Sequence, residues 1–288
     1  MSKKKTIPSF LFRNKKVILD TDLGCDSDDI GAIVILQNLA KSGLADIEAM
    51  TSVNSNLEPA LVIDYINSYY QNTVPLGMNK SNDYGIKDGY ALDICNKYYL
   101  QKKEFNSSND VLINTLLNQD KVTLITIGPF TNIATLLKDE LGRKLLNEKV
   151  DVMYSMAGNF VSENPEWNVT EDIESAKFVL ENYHGSLVFV PFEIGCDVFS
   201  ARTLLASDTL MGYGYYIHNK GPRQSWDPIT VYYAVTNSNL FKLSKKGTIK
   251  IDDKGVTTFT EGTGNHQYML NDFDKKGVEK LLDEVMIP

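Results

Sequence analysis

Val17-Ile18-Leu19-Asp20-Thr21-Asp22-Leu23-Gly24-Cys25-Asp26-Ser27-Asp28-Asp29-Ile30-Gly31-Ala32 is the stretch around which this chain is organised. A short apolar run passes into five carboxylates, Asp20, Asp22, Asp26, Asp28 and Asp29, and an apolar helical pattern follows at once. No Lys or Arg stands among them to offset their repulsion. Helix capping with solvated surface charge is the ordinary explanation, but capping uses one or two acids of a first turn. A solvated tail is incompatible with apolar segments on both sides. Carboxylate oxygens are the ligands that hard divalent cations such as calcium or magnesium prefer. The stretch predicts a metal site at the carboxyl end of a first β-strand.

Outward from it, strand and helix signals alternate. Residues 17–20 read as a buried strand and 28–41 as a helix, with Ile30, Ile33, Val34, Leu36 and Leu39 near helical spacing. Ser27 stands at the N-cap position, and Asp28 and Asp29 suit the positive first turn. Further strands are expected at 47–53, 74–78, 122–127, 150–156 and 186–192, with helices at 59–70, 110–117, 131–137, 173–180 and 229–235. Residues 79–89 read as a loop over the site, and 157–171 as a long irregular segment. Asp252-Asp253-Lys254-Gly255 between two β-rich runs is a hairpin signal. The pattern predicts an α/β fold: a single domain over 15–288 with a mostly parallel, Rossmann-like central sheet flanked by helices, after a loose N-terminal arm at 1–14. In such sheets ligands bind outside the carboxyl ends of the strands. Asp20 to Asp29, Asn54 to Asn56, Gly128 to Asn132, Asn159 to Asn168 and Glu193 should therefore meet at one edge.

Composition narrows the function. A net charge of −8 and a pI near 5.0 argue against a nucleic-acid partner. Three cysteines (Cys25, Cys95, Cys196) fit a reducing compartment without a disulfide framework. The basic start precedes too short an apolar run for a signal peptide, and no stretch reaches the roughly 18–20 apolar residues of a membrane span. A cytoplasmic protein with no membrane partner is expected. His184, His218 and His266 show no metal-ligand spacing or adjacent nucleophile, and neither a Walker loop nor a Gly-rich dinucleotide fingerprint occurs.

Three later motifs carry polar chemistry. Thr126-Ile127-Gly128-Pro129-Phe130-Thr131-Asn132 is a strand–turn–helix junction whose carbonyls also suit a hard cation. Gly158-Asn159 and Pro165-Glu166-Trp167-Asn168 offer donors and acceptors for vicinal hydroxyls, although Asn and Gly are common in any loop. In Ser225-Trp226-Asp227-Pro228, taken alone, Asp227 reads as an N-cap. Tyr213, Tyr215, Tyr216 and Trp226 supply faces for a planar base, with Gly212 and Gly214 suggesting an exposed loop.

Taken in order over about residues 16–240, these four motifs resemble the nucleoside hydrolases of the inosine–uridine-preferring type. The resemblance implies an N-ribohydrolase holding one calcium ion through Asp22, Asp29, the Ile127 carbonyl and Asp227. It implies Asp22 as the general base acting on water, and Asp28, Asn56, Asn159, Glu166 and Asn168 as ribose contacts. The substrate would be a small nucleoside or related N-riboside, and a homo-oligomer, dimer or tetramer, is compatible with it. Two departures stand out: two extra residues before the Asp28–Asp29 pair, and Trp226 where many members carry a His as the acid for the leaving base. Three options remain for the leaving group: stacking on Trp226 or the tyrosine segment, protonation by His218 or a tyrosine, or a substrate whose base leaves without help. Two rival readings remain. One is a calcium- and ribose-binding module that has lost turnover. The other is a magnesium-dependent haloacid-dehalogenase-like phosphatase with Asp20 as nucleophile.

Overall fold

The computed structural model describes residues 14–81, 84–85 and 89–288. Residues 1–13 of the expected arm, and 82–83 and 86–88 of the expected loop over the site, lie outside the described residues. The chain alternates as anticipated through β1 (Lys15–Thr21), α1 (Asp28–Lys41), β2 (Ala45–Ser52), α2 (Leu57–Tyr69), β3 (Leu76–Met78), α3 (Tyr90–Tyr98), β4 (Asn106–Ser107) and α4 (Ser108–Leu117). It continues through β5 (Val122–Thr126), α5 (Thr131–Lys138), α6 (Glu140–Lys149), β6 (Val150–Met156), the single turn α7 (Trp167–Thr170), α8 (Ile173–Asn182) and β7 (Ser186–Val190). Shorter pieces follow: α9 (Phe192–Gly195), β8 (Phe199–Ser200), α10 (Arg202–Leu205), α11 (Leu210–Asn219), β9 (Arg223–Gln224) and α12 (Trp226–Thr236). The chain closes with β10 (Lys242–Leu243), β11 (Gly247–Ile251), β12 (Thr257–Glu261), β13 (His266–Leu270) and α13 (Lys275–Val285).

The strands form one large sheet in the order β12-β11-β13-β7-β6-β5-β1-β2-β3-β4, with β10 paired to β13. All pairings from β13–β7 across to β3–β4 are parallel, and the β11–β12 hairpin and β13 add an antiparallel edge. The strand period of two divides the apolar side chains between two layers. Leu19, Ile125 and Val188 face a core with α1 and α12, whereas Ile18, Leu124 and Phe189 face one with α5 and α8. Continuous burial along β1 and β5 is what a parallel strand covered on both faces requires. Helix α1 is buried from Asp28 through Gln37, packed against β2 and α12 and touched by α2, α11 and α13. Among the described residues no helix is long and apolar enough to cross a membrane.

Two local expectations are corrected. The seventh strand stops at Val190, because Pro191 opens the single-turn helix α9. The Tyr213–Tyr216 segment is helix α11 rather than an exposed loop, and Tyr215 is fully buried. Gly214 explains this: a Cβ there would lie 2.4 Å from Ile30 Cδ1, so the glycine marks a helix packed close against α1.

Candidate active site

β1 ends on the buried Asp20, whose Oδ1 accepts hydrogen bonds from Thr51 Oγ1 at 2.5 Å and Asn132 Nδ2 at 2.7 Å. Burial raises its carboxyl to about 7. Asp20 is thus a structural tie between β1, β2 and α5. Its complete burial removes it as a solvent-accessible nucleophile, and with it the physical basis of the phosphatase reading.

Past Asp20 the chain enters a cavity of about 340 Å³ whose floor is acidic: Asp22 and Asp26 from the β1–α1 loop, Asp28 and Asp29 from the first turn of α1, and Asp227 from α12. Asp28, Asp29 and Asp227 are buried and each offers an oxygen within 4.8 Å of the others. Asp227 N donates to Asp28 Oδ2 at 3.1 Å, and Thr21 Oγ1 donates to Asp29. Burial, reinforced by their mutual repulsion, holds all three carboxyls well above the usual range. Asp22 stands beside Asp29, with Tyr84 OH donating to its Oδ2 at 3.2 Å. Burial pushes Asp22 up to about 7, and the charges of Glu166 and Asp26 add to the effect. Among the described residues Arg223 is the one Lys or Arg lining the cavity. Buried, crowded, oxygen-only donors of this kind fit a hard divalent cation.

Ile127, after β5, lines the same cavity, and Gly128 beside it is a close approach. A Cβ on Gly128 would lie 2.8 Å from Asp22 Cβ and 2.9 Å from Asp22 N. Gly128→Ala is therefore expected to displace Asp22 and lower kcat about 100-fold. Steady-state kinetics should show no further loss when it is combined with Asp22→Asn, since both act through one side chain.

The wall opposite is built by α7. Glu166 caps it, accepting from Asn168 N at 2.8 Å and from Gly158 N and Val169 N at 3.2 Å, and burial lifts its carboxyl to about 7. Asn168 donates to Met156 O at 3.0 Å and lines the cavity. The lip is aromatic. Trp226 stacks on Phe192 with ring centres 5.6 Å apart and donates Nε1–H to Phe192 O at 2.7 Å, and Trp167 is largely exposed.

Two expected ribose contacts sit elsewhere. The Asn159 side chain is engaged in its own loop, donating to Ser162 Oγ and Asn164 O and accepting from Val161 N and Ser162 N. Asn56 lines a neighbouring cavity with Asn54, Glu58 and Pro59. The loop 159–164 turns back on itself and takes Asn159 with it, which no spacing rule predicts. Asp28, rather than Asp22, completes the tight carboxylate trio. Ser27 precedes α1 but makes no side-chain cap; its Oγ lies 3.1 Å from His218 Nδ1.

Arg223, Phe192, Met156 and Cys25 also line the cavity and carry no motif. Only for Arg223 did a signal exist: it is one of four arginines in a chain that otherwise uses Lys, and it lies three residues before Trp226. Arg223 holds Asp26 in a bidentate pair, Nε at 3.0 Å from both oxygens and Nη2 at 2.5 Å from Oδ2. This gives a place to the acid in the two-residue expansion. Burial and nearby carboxylates push the Cys25 thiol up to about 12, so it is a neutral wall group rather than a nucleophile.

Comparison with known proteins agrees with this geometry. The chain is 29% identical over 211 residues to the non-specific ribonucleoside hydrolase RihC of Klebsiella pneumoniae strain 342, and equally to that of strain ATCC 700721 / MGH 78578. Each match takes in 67% of this chain and 65% of the relative, so the chain spans just under two thirds of those relatives' length. The fold is similar to that of the inosine-uridine preferring nucleoside hydrolase from Bacillus anthracis, at a TM-score of 0.73 and 19% identity, covering 95% of this chain and 99% of that one. It is also similar to the effector protein XOO4466, at 0.76 and 14% identity, covering 95% and 93%. The family model described as inosine-uridine preferring nucleoside hydrolase matches residues 17–280. The chain belongs to the inosine-uridine preferring nucleoside hydrolase family.

Proposed function

We propose that this protein is a calcium-dependent N-ribohydrolase, cleaving the N-glycosidic bond of a ribonucleoside or related riboside to ribose and free base. The observation that carries this reading is one cavity with a buried carboxylate floor and an aromatic lip, at the carboxyl edge of a parallel sheet. The names of the Klebsiella relatives point to the same substrate class.

Asp29 and Asp227, with Asp22 and the Ile127 carbonyl, would hold the ion, and Asp28 is within reach of the same position. A bound calcium supplies a polarised water and an anchor for ribose hydroxyls. Asp22 removes a proton from the attacking water, from its buried position at the floor of the cavity. As the water oxygen bonds to C1′, the C1′–N bond breaks and its electron pair leaves with the base. Positive charge builds on the ribose ring, and the surrounding carboxylates stabilise it. Asp28, Glu166 and Asn168 line the cavity and would bind the sugar hydroxyls, and Trp226 with Phe192 would offer a face to the planar base.

A panel of ribonucleosides and a nitrophenyl riboside, incubated with the protein and calcium and assayed for free ribose, tests this. Release of ribose is expected. Silence toward every riboside, with calcium and ribose still bound, would favour the binding-module reading, whose support is that Trp226 gives its only N–H to Phe192. Phosphate release from phosphomonoesters with magnesium would sink both.

A further inference from the structure

Asp26, between β1 and α1, grips Arg223, while the Arg223 guanidinium carbon lies 5.4 Å from the centre of the Trp226 ring at the start of α12. The loop end is itself fixed, because Tyr90 OH donates to Asp26 O at 2.8 Å and Ser27 N donates to Asp26 Oδ1 at 2.6 Å. His218 closes the group from α11: its Nδ1 lies 3.1 Å from Ser27 Oγ and 3.7 Å from Asp26 Oδ1, and its ring packs against Tyr90. Arg223, His218 and Trp226 all line the cavity.

The guanidinium is not fully used by these partners. Nε and Nη2 bind Asp26, and Nη1 donates to Gln224 Oε1 at 2.8 Å. One N–H on each terminal nitrogen is left without a partner among the described residues. A planar, permanently charged donor fixed against an aromatic face is suited to the acceptor edge of a flat ligand.

We propose that Arg223 is the leaving-group residue of this site, donating hydrogen bonds to the departing base, and that Asp26 and His218 are positioning residues that hold it against Trp226. The assignment rests on the N-ribohydrolase reading. When the C1′–N bond breaks, its electron pair passes to the base, and negative charge spreads to the ring acceptors. Arg223 stabilises that charge by hydrogen bonding and keeps its own proton. Asp22 takes one proton from water, the remaining hydroxyl bonds to C1′, and the base collects its proton from solvent after release. Asp26 thus supplies the anchor for Arg223, and Trp226 the face against which it lies.

Two arms test this. In the kinetic arm, Arg223→Gln should lower kcat/KM about 100-fold on a purine ribonucleoside, the usual cost of one transition-state donor. It should lose only a few-fold on nitrophenyl riboside, whose leaving group is already stable as an anion. Asp26→Asn should show the same split with a smaller loss. Equal losses on both substrates would mean that Arg223 is only structural. Leaving-group-dependent loss in His218→Gln and not in Arg223→Gln would overturn the assignment. The second arm needs no turnover: both tryptophans of the chain line the cavity, so intrinsic fluorescence reports on the site. Free purine base should bind about tenfold more weakly to Arg223→Gln while ribose binding is unchanged, and unchanged base affinity would overturn the proposal. A wild-type protein silent toward both ribosides would remove the ribohydrolase reading and the leaving-group role with it, and the base-binding arm would then decide only whether Arg223 holds a base.

Discussion

Asp22→Asn is expected to lower kcat by about 10³–10⁴-fold, the upper range for loss of a general base. The amide is isosteric and keeps an acceptor for Tyr84, while it removes the carboxylate charge that would take the proton and help hold the ion. Asp22 is buried at the floor of the cavity, where its carboxylate can accept a proton from a water held in the same site. The Gly128 backbone passes close beside it, so that a Cβ there would lie 2.8 Å from Asp22 Cβ. Ribose binding measured at saturating calcium should survive, because Asp28, Glu166 and Asn168, the proposed sugar contacts, are unchanged. Rapid-quench kinetics together with fluorescence titration separate the two effects. Retained turnover in Asp22→Asn would take the base assignment away from Asp22.

Removing divalent cations is expected to make stability depend steeply on pH. Burial raises Asp22 to about 7 and holds Asp28, Asp29 and Asp227 well above the ordinary carboxyl range. A carboxyl whose folded-state value exceeds its unfolded value favours the folded state while protonated. Its contribution is fully present below the unfolded value near 4 and is lost as pH rises through the folded value. The chelated protein should therefore lose about 10 °C or more of Tm between pH 5 and pH 8. Excess calcium should abolish most of that fall, because the cation takes the place of the protons. Asp20 also titrates near 7, but it is tied to Thr51 and Asn132 away from the cavity and affects both samples equally. Identical Tm curves with chelator and with calcium would mean that no cation binds these carboxylates.

The acidic stretch was legible because it broke two local rules at once. It placed charge between apolar segments, and it used more acids than a helix cap accommodates. The alternation of strands and helices was legible because burial on both sheet faces imposes apolar runs and periods that a single chain segment displays. Tyr215 was misread because Gly212 and Gly214 signal a loop locally but a close helix contact in the fold. Asn159 was misread because a polar loop residue has two destinations, the cavity or its own backbone, and the loop's turns choose between them.

By itself, then, the sequence determined the α/β architecture, the acidic edge after β1 and the identity of the acids, since these are properties of contiguous residues. Only the tertiary structure decided which carboxylates share a position. Asp28 joins Asp29 and Asp227 because α1 and α12 pack side by side and bring their first turns together. It also decided the role of Asp26, whose partner Arg223 is 197 residues away. A bidentate ion pair depends on side-chain direction at two loops that meet after folding, and no periodicity along the chain records it.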